Sequence, residues 1–309
     1  MVKYGKQKLI VICGPTGIGK TELSLSLAEA FNGGIVSSDS MQIYRYMDIG
    51  TAKPDAEELG RVPHYMIDIV DPDEPYDAAR FYREGRQAIA RIQGDGSVPF
   101  IVGGTGFYIK ALLHGLFEAK PVNPLIIDRL KEESEAHGIH PLYERLSACD
   151  PGAASRIHVN DAYRVIRALA VFEMSGKPMS EFQQAHGFAE SPFDILKICL
   201  FSDREMLYDR INRRVDQMID VGFLAEVASL LERGYSGDLK SMQSIGYRHM
   251  VDYINGKNTW DETLYTLKRD TRRFAKRQLT WFRKDQEMIW KSPEGEVEIM
   301  EMVRKFLNA

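Results

Sequence analysis

The sequence of 309 residues contains little cysteine and no long apolar run. Its three cysteines, Cys13, Cys149 and Cys199, are odd in number and far apart, without C-x-x-C spacing, which argues against a disulfide framework and a zinc site. This usage favours a reducing cytoplasm. No apolar stretch approaches the length that spans a bilayer, so no membrane association is expected. The basic residues 1–8 are followed by only five apolar residues, which indicates a strand and not a signal peptide.

The sequence also lacks an excess of charge of either sign. Charged residues make up 27% and the formal net charge is −4, whereas a hydrophobic content of 44% is ample for a core. Any site for a polyanion must therefore be a local patch. The length favours two domains, or one large domain with an insertion.

What the sequence does contain is a complete phosphate-binding motif. Residues 14–21, GPTGIGKT, fit G-x-x-x-x-G-K-[ST] and lie between an apolar run at 9–13 and a helical pattern at 22–30. Backbone N–H groups and a helix N-terminus at such a loop bind an oligophosphate, with Lys20 reaching the outer phosphates and the Thr21 hydroxyl placed for Mg²⁺. The motif alone does not say whether the phosphate belongs to a nucleotide.

Strand and helix patterns alternate after this loop. Strands are predicted at 35–38, 65–70 and 98–102 and a helix at 78–92, whereas 51–77 is predicted to be mostly loop. This order predicts a parallel sheet with helices on both faces.

The pattern becomes helical from about Phe117. Helices are predicted at 125–136, 141–148 and 161–175, and the apolar run at 195–201 indicates that the sheet resumes. The remainder is predicted to be helical.

These patterns predict an α/β fold with a P-loop NTPase-like parallel sheet flanked by helices and a helical C-terminal region. Residues 1–116 and 192–309 are expected to form this P-loop core, and 117–191 an all-helical insertion domain.

Two further segments follow predicted strands at the carboxyl edge of the sheet, where open α/β proteins bind ligands. Asp39 could hold Mg²⁺ through water, accept a proton from a substrate, or merely cap a solvated turn. The glycines of Gly103-Gly104-Thr105-Gly106 indicate either close approach by a ligand or another backbone, or a tight turn without a ligand.

A helical pattern at 204–219 places Arg214 on the margin of an apolar stripe, whereas Arg213 faces water. An arginine in this position either snorkels to solvent or reaches the phosphates at the loop.

The pattern at 264–284 predicts an amphipathic helix with one basic face. Its predicted core-facing stripe comprises Leu264, Leu267, Thr271, Phe274, Gln278, Trp281 and Phe282. The remaining arc comprises Lys268, Arg269, Arg272, Arg273, Lys276, Arg277, Arg283 and Lys284, offset only by Asp270. The scarcity of acids favours binding of RNA or DNA over a merely solvated face.

Together these segments closely resemble the bacterial type of the tRNA dimethylallyltransferase (isopentenyl-tRNA transferase) family, over nearly the whole chain. The ordered motifs that carry the resemblance are GPTGIGKT at 14–21, DSMQIY at 39–44, DIGTAKP at 48–54, Pro63-His64 before Asp68, GGTGFY at 103–108, Asn160-Asp161 with Arg164 and Arg167, IGYR at 245–248, and Thr271-Arg272 through Gln278 to Trp281-Phe282. Phe107 stands where the family often has Leu.

The resemblance implies transfer of the dimethylallyl group from dimethylallyl diphosphate to N6 of the adenosine 3′ to the tRNA anticodon, with release of diphosphate and assistance by Mg²⁺. It implies that Asp39 is the general base and that Thr16, Lys20 and Arg214 act on the leaving group. The residues expected to hold the diphosphate are Gly14, Thr16, Gly17, Ile18, Gly19, Lys20 and Thr21, with Thr21 also ligating Mg²⁺.

The resemblance also implies a set of tRNA contacts. Asp39, Ser40, Met41 and Gln42 are expected around the extruded adenine, and Lys276 and Arg277 at the RNA backbone. Further contacts are implied for Thr105, Tyr163, Arg164, Val165, Ile166, Arg167, Gln243, Gly246, Tyr247 and Arg248. The insertion is expected to grip the anticodon stem-loop, and a monomer without an obligate protein partner is expected.

Three alternatives stay open at this point. A P-loop kinase of nucleotides or other small molecules would share the loop, sheet and insertion but would not need the basic helix. An enzyme that prenylates free adenine nucleotides would differ in its acceptor. An RNA-binding P-loop module without catalytic activity would bind RNA and leave every base unmodified.

Overall fold

The computed structural model describes residues 6–116, 123–186 and 191–309. The chain forms two compact units, one comprising Met1–Leu113 and Pro192–Ala309, the other His114–Ser191. The domain boundary expected at residue 117 lies outside the described residues. In the described ranges, no helix is both long and apolar enough to cross a membrane.

The first unit is built on a six-stranded parallel sheet with strand order β3-β2-β4-β1-β5-β6. The strands are β1 Gln7–Cys13, β2 Gly33–Ser37, β3 His64–Tyr65, β4 Val98–Gly103, β5 Phe193–Leu200 and β6 Ile289–Lys291. Because all strands run the same way, the loops that follow β1, β2 and β4 meet at one edge. The predicted α/β class and parallel sheet are confirmed.

Helices connect and flank these strands. In chain order they are α1 Lys20–Ala30, α2 Ala56–Arg61, α3 Ala78–Gly94, α4 Gly106–His114, α5 Pro124–His137, α6 His140–Cys149, α7 Pro151–Ala154, α8 Ala162–Ser175, α9 Met179–His186, α10 Arg204–Asp220, α11 Phe223–Glu232, α12 Tyr247–Ile254, α13 Trp260–Phe282 and α14 Glu296–Asn308.

The central strand β1 shows why the sequence carries an apolar run instead of an alternation. Leu9, Val11 and Cys13 lie in the core on one face of the sheet, whereas Ile10 and Ile12 lie in the core on the other. All five are fully buried. A parallel strand covered by helices on both faces requires apolar residues at every position.

Three local predictions differ from the structure. The strand predicted at 65–70 is reduced to β3, because Met66 and Asp68 adopt φ angles of 66° and 54° that no strand tolerates. The predicted loop at 51–77 contains α2, whose first turn is closed by a reciprocal capping box between Asp55 and Glu58. The predicted helical C-terminal region contains β6, whose three residues are too few to show a pattern.

The second unit is helical in its described part. It comprises α5 to α9, and its core includes Leu130, Leu142, Leu146, Val165 and Leu169. The predicted helices at 125–136, 141–148 and 161–175 correspond to α5, α6 and α8, whereas α7 and α9 were not predicted individually.

Candidate active site

The phosphate-binding loop connects β1 to α1 and depends on three glycines. Gly14, Gly17 and Gly19 have φ angles of 149°, 78° and 101°. A Cβ atom on Gly14 would lie 2.9 Å from the Leu200 carbonyl oxygen, and one on Gly17 would lie 3.0 Å from a carbon of Ile211. Any other residue would therefore be strained at positions 14 and 17 by both its φ angle and its neighbours, and at position 19 by its φ angle.

Lys20 and Arg214 create a concentration of positive charge at this loop. Lys20 Nζ donates hydrogen bonds to the carbonyl oxygens of Gly14 (3.1 Å) and Pro15 (2.8 Å). Burial, together with the neighbouring Arg214 charge, lowers the pKa of Lys20 to about 8. Burial also lowers the pKa of Arg214, and the carboxylate of Asp39 acts in the opposite direction. Two cations near one carboxylate favour the binding of an anion.

Asp39 lies in the loop that follows β2, and hydrogen bonds hold that loop in place. Asp39 Oδ1 accepts a hydrogen bond from the Met41 backbone N–H at 2.8 Å. The Ser38 carbonyl accepts the Thr105 N–H at 3.2 Å, and the Thr105 hydroxyl oxygen accepts the Ser40 N–H at 3.1 Å. The loops after β2 and β4 are thus tied together, which orients the Asp39 carboxylate.

Protein atoms account for the close approach predicted at Gly103-Gly104-Thr105-Gly106. A Cβ atom at Gly103 would overlap Ser38, one at Gly104 would overlap the Gln278 amide, and one at Gly106 would overlap the Trp281 indole. These glycines therefore allow the loop after β2 and helix α13 to pack against the loop after β4.

Gln278 connects the phosphate-binding loop to the loop after β4. Sequence analysis did not identify it as a site residue. Its Oε1 accepts the Thr16 backbone N–H at 2.9 Å, and its Nε2 donates to the Gly104 carbonyl oxygen at 3.0 Å. The side chain is 7% exposed. The Thr16 amide is consequently engaged by protein, which leaves the Thr16 hydroxyl for a ligand. Its position in the predicted core-facing stripe, where the other residues are mostly apolar, was the sequence signal that could have identified it.

Two cavities meet at these residues. The larger, of about 330 Å³, has a mainly apolar wall that includes Ile211, Val215, Met218, Phe223 and Leu267. The smaller, of about 120 Å³, is lined by residues of the phosphate-binding loop and by polar side chains near it, among them Gly17, Gly19, Lys20, Thr21, Ser37 and Gln42. Both are lined by Thr16, Asp39, Thr51, Arg214 and Phe274. We call them the apolar cavity and the phosphate cavity.

The residues expected around an extruded adenine are divided between the two cavities. Ser40 and Met41 line the apolar cavity, and so does Thr105. Gln42 instead lines the phosphate cavity, where its Oε1 accepts the Ser37 hydroxyl at 2.9 Å and its Nε2 donates to the Ala52 carbonyl at 3.1 Å. Both ends of the Gln42 amide are thus used within the protein.

The segment at 243–248 contributes in different ways. Gln243, Gly246 and Tyr247 line the apolar cavity, but Gly246 and Tyr247 are buried. Burial, together with the Glu226 carboxylate that accepts the phenol hydrogen bond, raises the pKa of Tyr247. Arg248 donates to Asp270 at 2.9 Å.

Glu226 of α11 is a second residue that sequence analysis missed. Its carboxylate accepts the backbone N–H groups of Asp48 (2.9 Å), Ile49 (2.6 Å) and Gly50 (3.1 Å), in addition to the Tyr247 hydroxyl (2.6 Å). One carboxylate therefore holds both the segment that leads to Thr51 and one wall of the apolar cavity.

The basic face of α13 is partly neutralised, contrary to the prediction. Lys268 pairs with Asp216 of α10, and Arg269 pairs with Asp270. Toward the end of the helix, Lys276 and Arg277 are exposed, and neither forms an ion pair with an acidic residue of the described chain. Trp281, predicted to face the core, is 39% exposed.

The candidate tRNA residues of the second unit lie on α8. Tyr163 is 80% exposed, and Arg164 is exposed and pairs with Asp161 at 3.3 Å. Arg167 is half-buried. Val165 and Ile166 lie in the core of the unit, so their side chains are not accessible to RNA. Because α8 is amphipathic, the five consecutive residues 163–167 cannot all lie on the surface that faces an RNA.

The protein oxygens at the site suit a hard cation whose other ligands are water molecules and phosphate oxygens. Among the described residues, no cluster of three or more His, Cys, Asp or Glu side chains could hold a metal ion. The phosphate cavity offers the Thr21 hydroxyl and the Asp39 carboxylate. Mg²⁺ is commonly bound through one or two protein oxygens together with substrate phosphates, so the residues fit this ion.

Comparison with known families gives matches over most of the chain. A family model described as IPP transferase matches residues 42–285, and one described as isopentenyl transferase matches residues 7–69. The chain is 52% identical to the tRNA dimethylallyltransferase of Desulfosudis oleivorans, covering 98% of this chain and 97% of that protein. It is 50% identical to that of Geobacter sulfurreducens, covering 92% of each.

Solved structures agree with these matches. The full-length tRNA isopentenylpyrophosphate transferase of Bacillus halodurans is 41% identical, with a TM-score of 0.73 and coverage of 98% of this chain and 97% of that one. A eukaryotic dimethylallyltransferase, described in a study of its action on tRNA, is 30% identical, with a TM-score of 0.80 and coverage of 97% and 77%.

Proposed function

The chain belongs to the tRNA dimethylallyltransferase family, and from this premise we propose which of its residues carry out the reaction. It is an enzyme that transfers the dimethylallyl group of dimethylallyl diphosphate to N6 of the adenosine 3′ to the tRNA anticodon, releasing diphosphate. In this reaction a carbon–oxygen bond of the donor breaks, a nitrogen–carbon bond forms, and N6 loses one proton.

The observation that supports the residue assignment is the common wall of the two cavities. The diphosphate would occupy the phosphate cavity, whereas the dimethylallyl group and the adenine would share the apolar cavity. Asp39 and Arg214 line both. The reacting carbon must lie where an anionic and an apolar site adjoin, and these two residues are at that boundary.

Charge that develops on the leaving diphosphate would be stabilised by Lys20, Arg214 and the N-terminus of α1. Both side chains are already half-buried beside the loop, so little reorganisation is needed as the bond breaks. The Thr16 hydroxyl lines both cavities and would donate a hydrogen bond to the diphosphate. Gly14, Gly17, Ile18 and Gly19 would contribute through their backbone.

Asp39 would accept the proton that N6 loses. Its Oδ1 is engaged by the Met41 N–H, whereas its Oδ2 forms no hydrogen bond with the residues that the structure describes. A carboxylate held by one oxygen presents the other to the substrate. We assign the Asp39 carboxylate as the general base on this geometry.

Mg²⁺ would be held by the Thr21 hydroxyl and by oxygens of the diphosphate. When bound, the ion supplies further neutralisation of the leaving group. The chain's own residues orient the donor and remove the proton.

The tRNA would be bound by surfaces on both units. Lys276 and Arg277 are exposed cations suited to phosphates, and Gln243 lies at the wall of the apolar cavity. Tyr163 and Arg164 of the helical unit would contact the anticodon stem-loop. We also propose that the enzyme is a monomer and that it acts in the cytoplasm, the compartment that its cysteine usage favours.

Replacement of Asp39 tests the assignment. Asp39→Asn keeps an oxygen for the Met41 N–H but cannot accept a proton, so turnover should fall by about 10²-fold or more while tRNA binding persists. The measurement follows transfer of label from dimethylallyl diphosphate into an anticodon stem-loop, with AMP as the competing acceptor. Asp95→Asn, at an exposed position after α3, serves as the matched control.

Unchanged turnover in Asp39→Asn would remove the general-base assignment. Label in AMP but not in the stem-loop would instead favour the free-nucleotide activity. Phosphate transfer from ATP without any labelled tRNA would favour a kinase.

A further inference from the structure

Two aromatic side chains lie exposed and in contact on the first unit. Phe107 of α4 is 46% exposed and Trp281 of α13 is 39% exposed. Their ring centroids are 6.4 Å apart and their planes are 84° apart, an edge-to-face arrangement. Aromatic rings are usually buried, so a paired and exposed arrangement needs an explanation.

The backbone is adapted to keep the indole in this position. A Cβ atom at Gly106 would overlap the five-membered ring of Trp281. Gly106 does not have the positive φ that would otherwise demand glycine. The glycine therefore provides the flat surface against which the indole packs, and the ring is held in place without being covered.

The aromatic pair lies next to residues that line the apolar cavity. Thr105 and Arg277 both line that cavity. Phe107 follows Thr105 by two residues, and Trp281 follows Arg277 by one helical turn. Exposed cations lie close to Trp281 along the chain. Lys276, Arg283 and Lys284 are exposed and form no ion pair within the described parts of the chain.

We propose that Phe107 and Trp281 form a stacking platform for the unpaired RNA base that neighbours the target adenosine. The proposal rests on the proposed function. When the target adenine enters the apolar cavity, the adjacent base loses its stacking partner, which costs free energy. An aromatic surface beside the cavity replaces that partner, and the cations around it bind the flanking phosphates.

The combination of aromatic and cationic groups favours a nucleobase over an apolar protein surface. A protein interface of this kind would be depleted of lysine at its centre. Here exposed lysines and arginines precede and follow Trp281 in the chain, a combination that is typical of platforms for single-stranded nucleic acid.

The test combines variants of the protein with variants of the RNA. Trp281→Ala is expected to raise the KM for an anticodon stem-loop by about tenfold, within a range of about 5- to 100-fold, and to leave the KM for dimethylallyl diphosphate unchanged. Trp281→Phe should restore most of the loss. Tyr265→Ala, which removes a 65% exposed aromatic side chain from the same helix, is the matched control and should have no effect.

Stem-loops with an abasic residue on either side of the target separate stacking from backbone contact. With the native chain, one of these two positions should weaken binding as much as Trp281→Ala does. With Trp281→Ala, the same abasic residue should cause no further loss, because the two changes remove one interaction. A 2-aminopurine at that position should be quenched by the native chain and less by Trp281→Ala.

Equal losses for the intact and both abasic stem-loops in Trp281→Ala would overturn the platform and assign Trp281 to packing or backbone contact. So would equal quenching by the native chain and the variant. Failure of the native chain to modify any stem-loop would instead contradict the proposed function itself, so the two failures are distinguishable.

Discussion

The hydrogen bonds of Gln278 lead to a prediction about the phosphate-binding loop. This side chain joins the Thr16 backbone N–H to the Gly104 carbonyl oxygen, at 2.9 Å and 3.0 Å. Replacement by methionine preserves volume and removes both hydrogen bonds, whereas replacement by alanine also leaves a cavity. Gln278→Met therefore isolates the contribution of the hydrogen bonds.

The magnitude follows from burial. A hydrogen bond contributes about 0.5–1.5 kcal/mol net, and leaving a buried backbone group unpaired costs about 1–3 kcal/mol. Two such groups predict a total cost of about 2–6 kcal/mol for Gln278→Met. Part of this cost appears as lower folding stability. The rest of this free-energy cost arises because the phosphate-binding loop is less well positioned. It should lower kcat/KM for dimethylallyl diphosphate by about 10- to 100-fold, since about 1.4 kcal/mol corresponds to tenfold.

The assay varies dimethylallyl diphosphate at saturating stem-loop and measures unfolding by chemical denaturant in parallel. Gln278→Glu should lower donor affinity further than Gln278→Met, because it retains the acceptor for Thr16 but adds negative charge beside the diphosphate. Gln87→Met, the same change on an exposed face of α3, is the control. Donor kinetics within twofold of native in Gln278→Met would refute a positioning role for this side chain.

Three further predictions concern other charged groups. Because the pKa of Lys20 is about 8, the ammonium that attracts diphosphate is lost as pH rises, and donor affinity should fall about tenfold per pH unit above that value. Glu226→Gln should lower the free energy of unfolding by about 2–4 kcal/mol, since an amide cannot accept four hydrogen bonds in this arrangement. Neutralising Lys276 and Arg277 together should weaken tRNA binding and reduce its salt slope by about 1 to 2.

Each of these has a control in the same chain. Lys20→Arg keeps its charge through the same pH range, so its profile should be flatter; an identical decline in both proteins would contradict the Lys20 assignment. Glu232→Gln, on an exposed position of α11, should leave stability unchanged. Neutralising Arg304 and Lys305 of α14, which are also exposed, should leave the salt slope intact, and equal slopes for both pairs would assign the α13 cations to solvent.

Local patterns identified the elements of the fold that depend on neighbours in sequence. The apolar run of β1, the glycine spacing of the phosphate-binding loop and the periodicity of α3 and α13 are such features. The strand predicted at 65–70 is wrong because Met66 and Asp68 take left-handed conformations that the apolar run around them does not reveal. Strand β6 has three residues and exists because β5 offers it an edge to pair with.

Site residues that act through contacts between distant parts of the sequence could not be predicted from local patterns. Gln278 meets Thr16 across 262 residues, and Glu226 meets Ile49 across 177. The neutralisation of Lys268 depends on Asp216 of another helix. A helical wheel shows which face of α13 is basic, but only the packing of α10 against α13 shows which cations remain free.

The geometry also explains how a loop associated with phosphoryl transfer serves an alkyl transfer. Lys20 and the N-terminus of α1 stabilise charge on phosphate oxygens whichever bond breaks, so the loop itself does not decide the reaction. The type of reaction depends on the site next to the loop. In the proposed assignment, an apolar cavity with Asp39 at its boundary would receive the prenyl group and the adenine, which would direct the attack to carbon. Helix α13 lines both cavities through Phe274, and its Gln278 holds the phosphate-binding loop, so this single helix would align the leaving group with the acceptor.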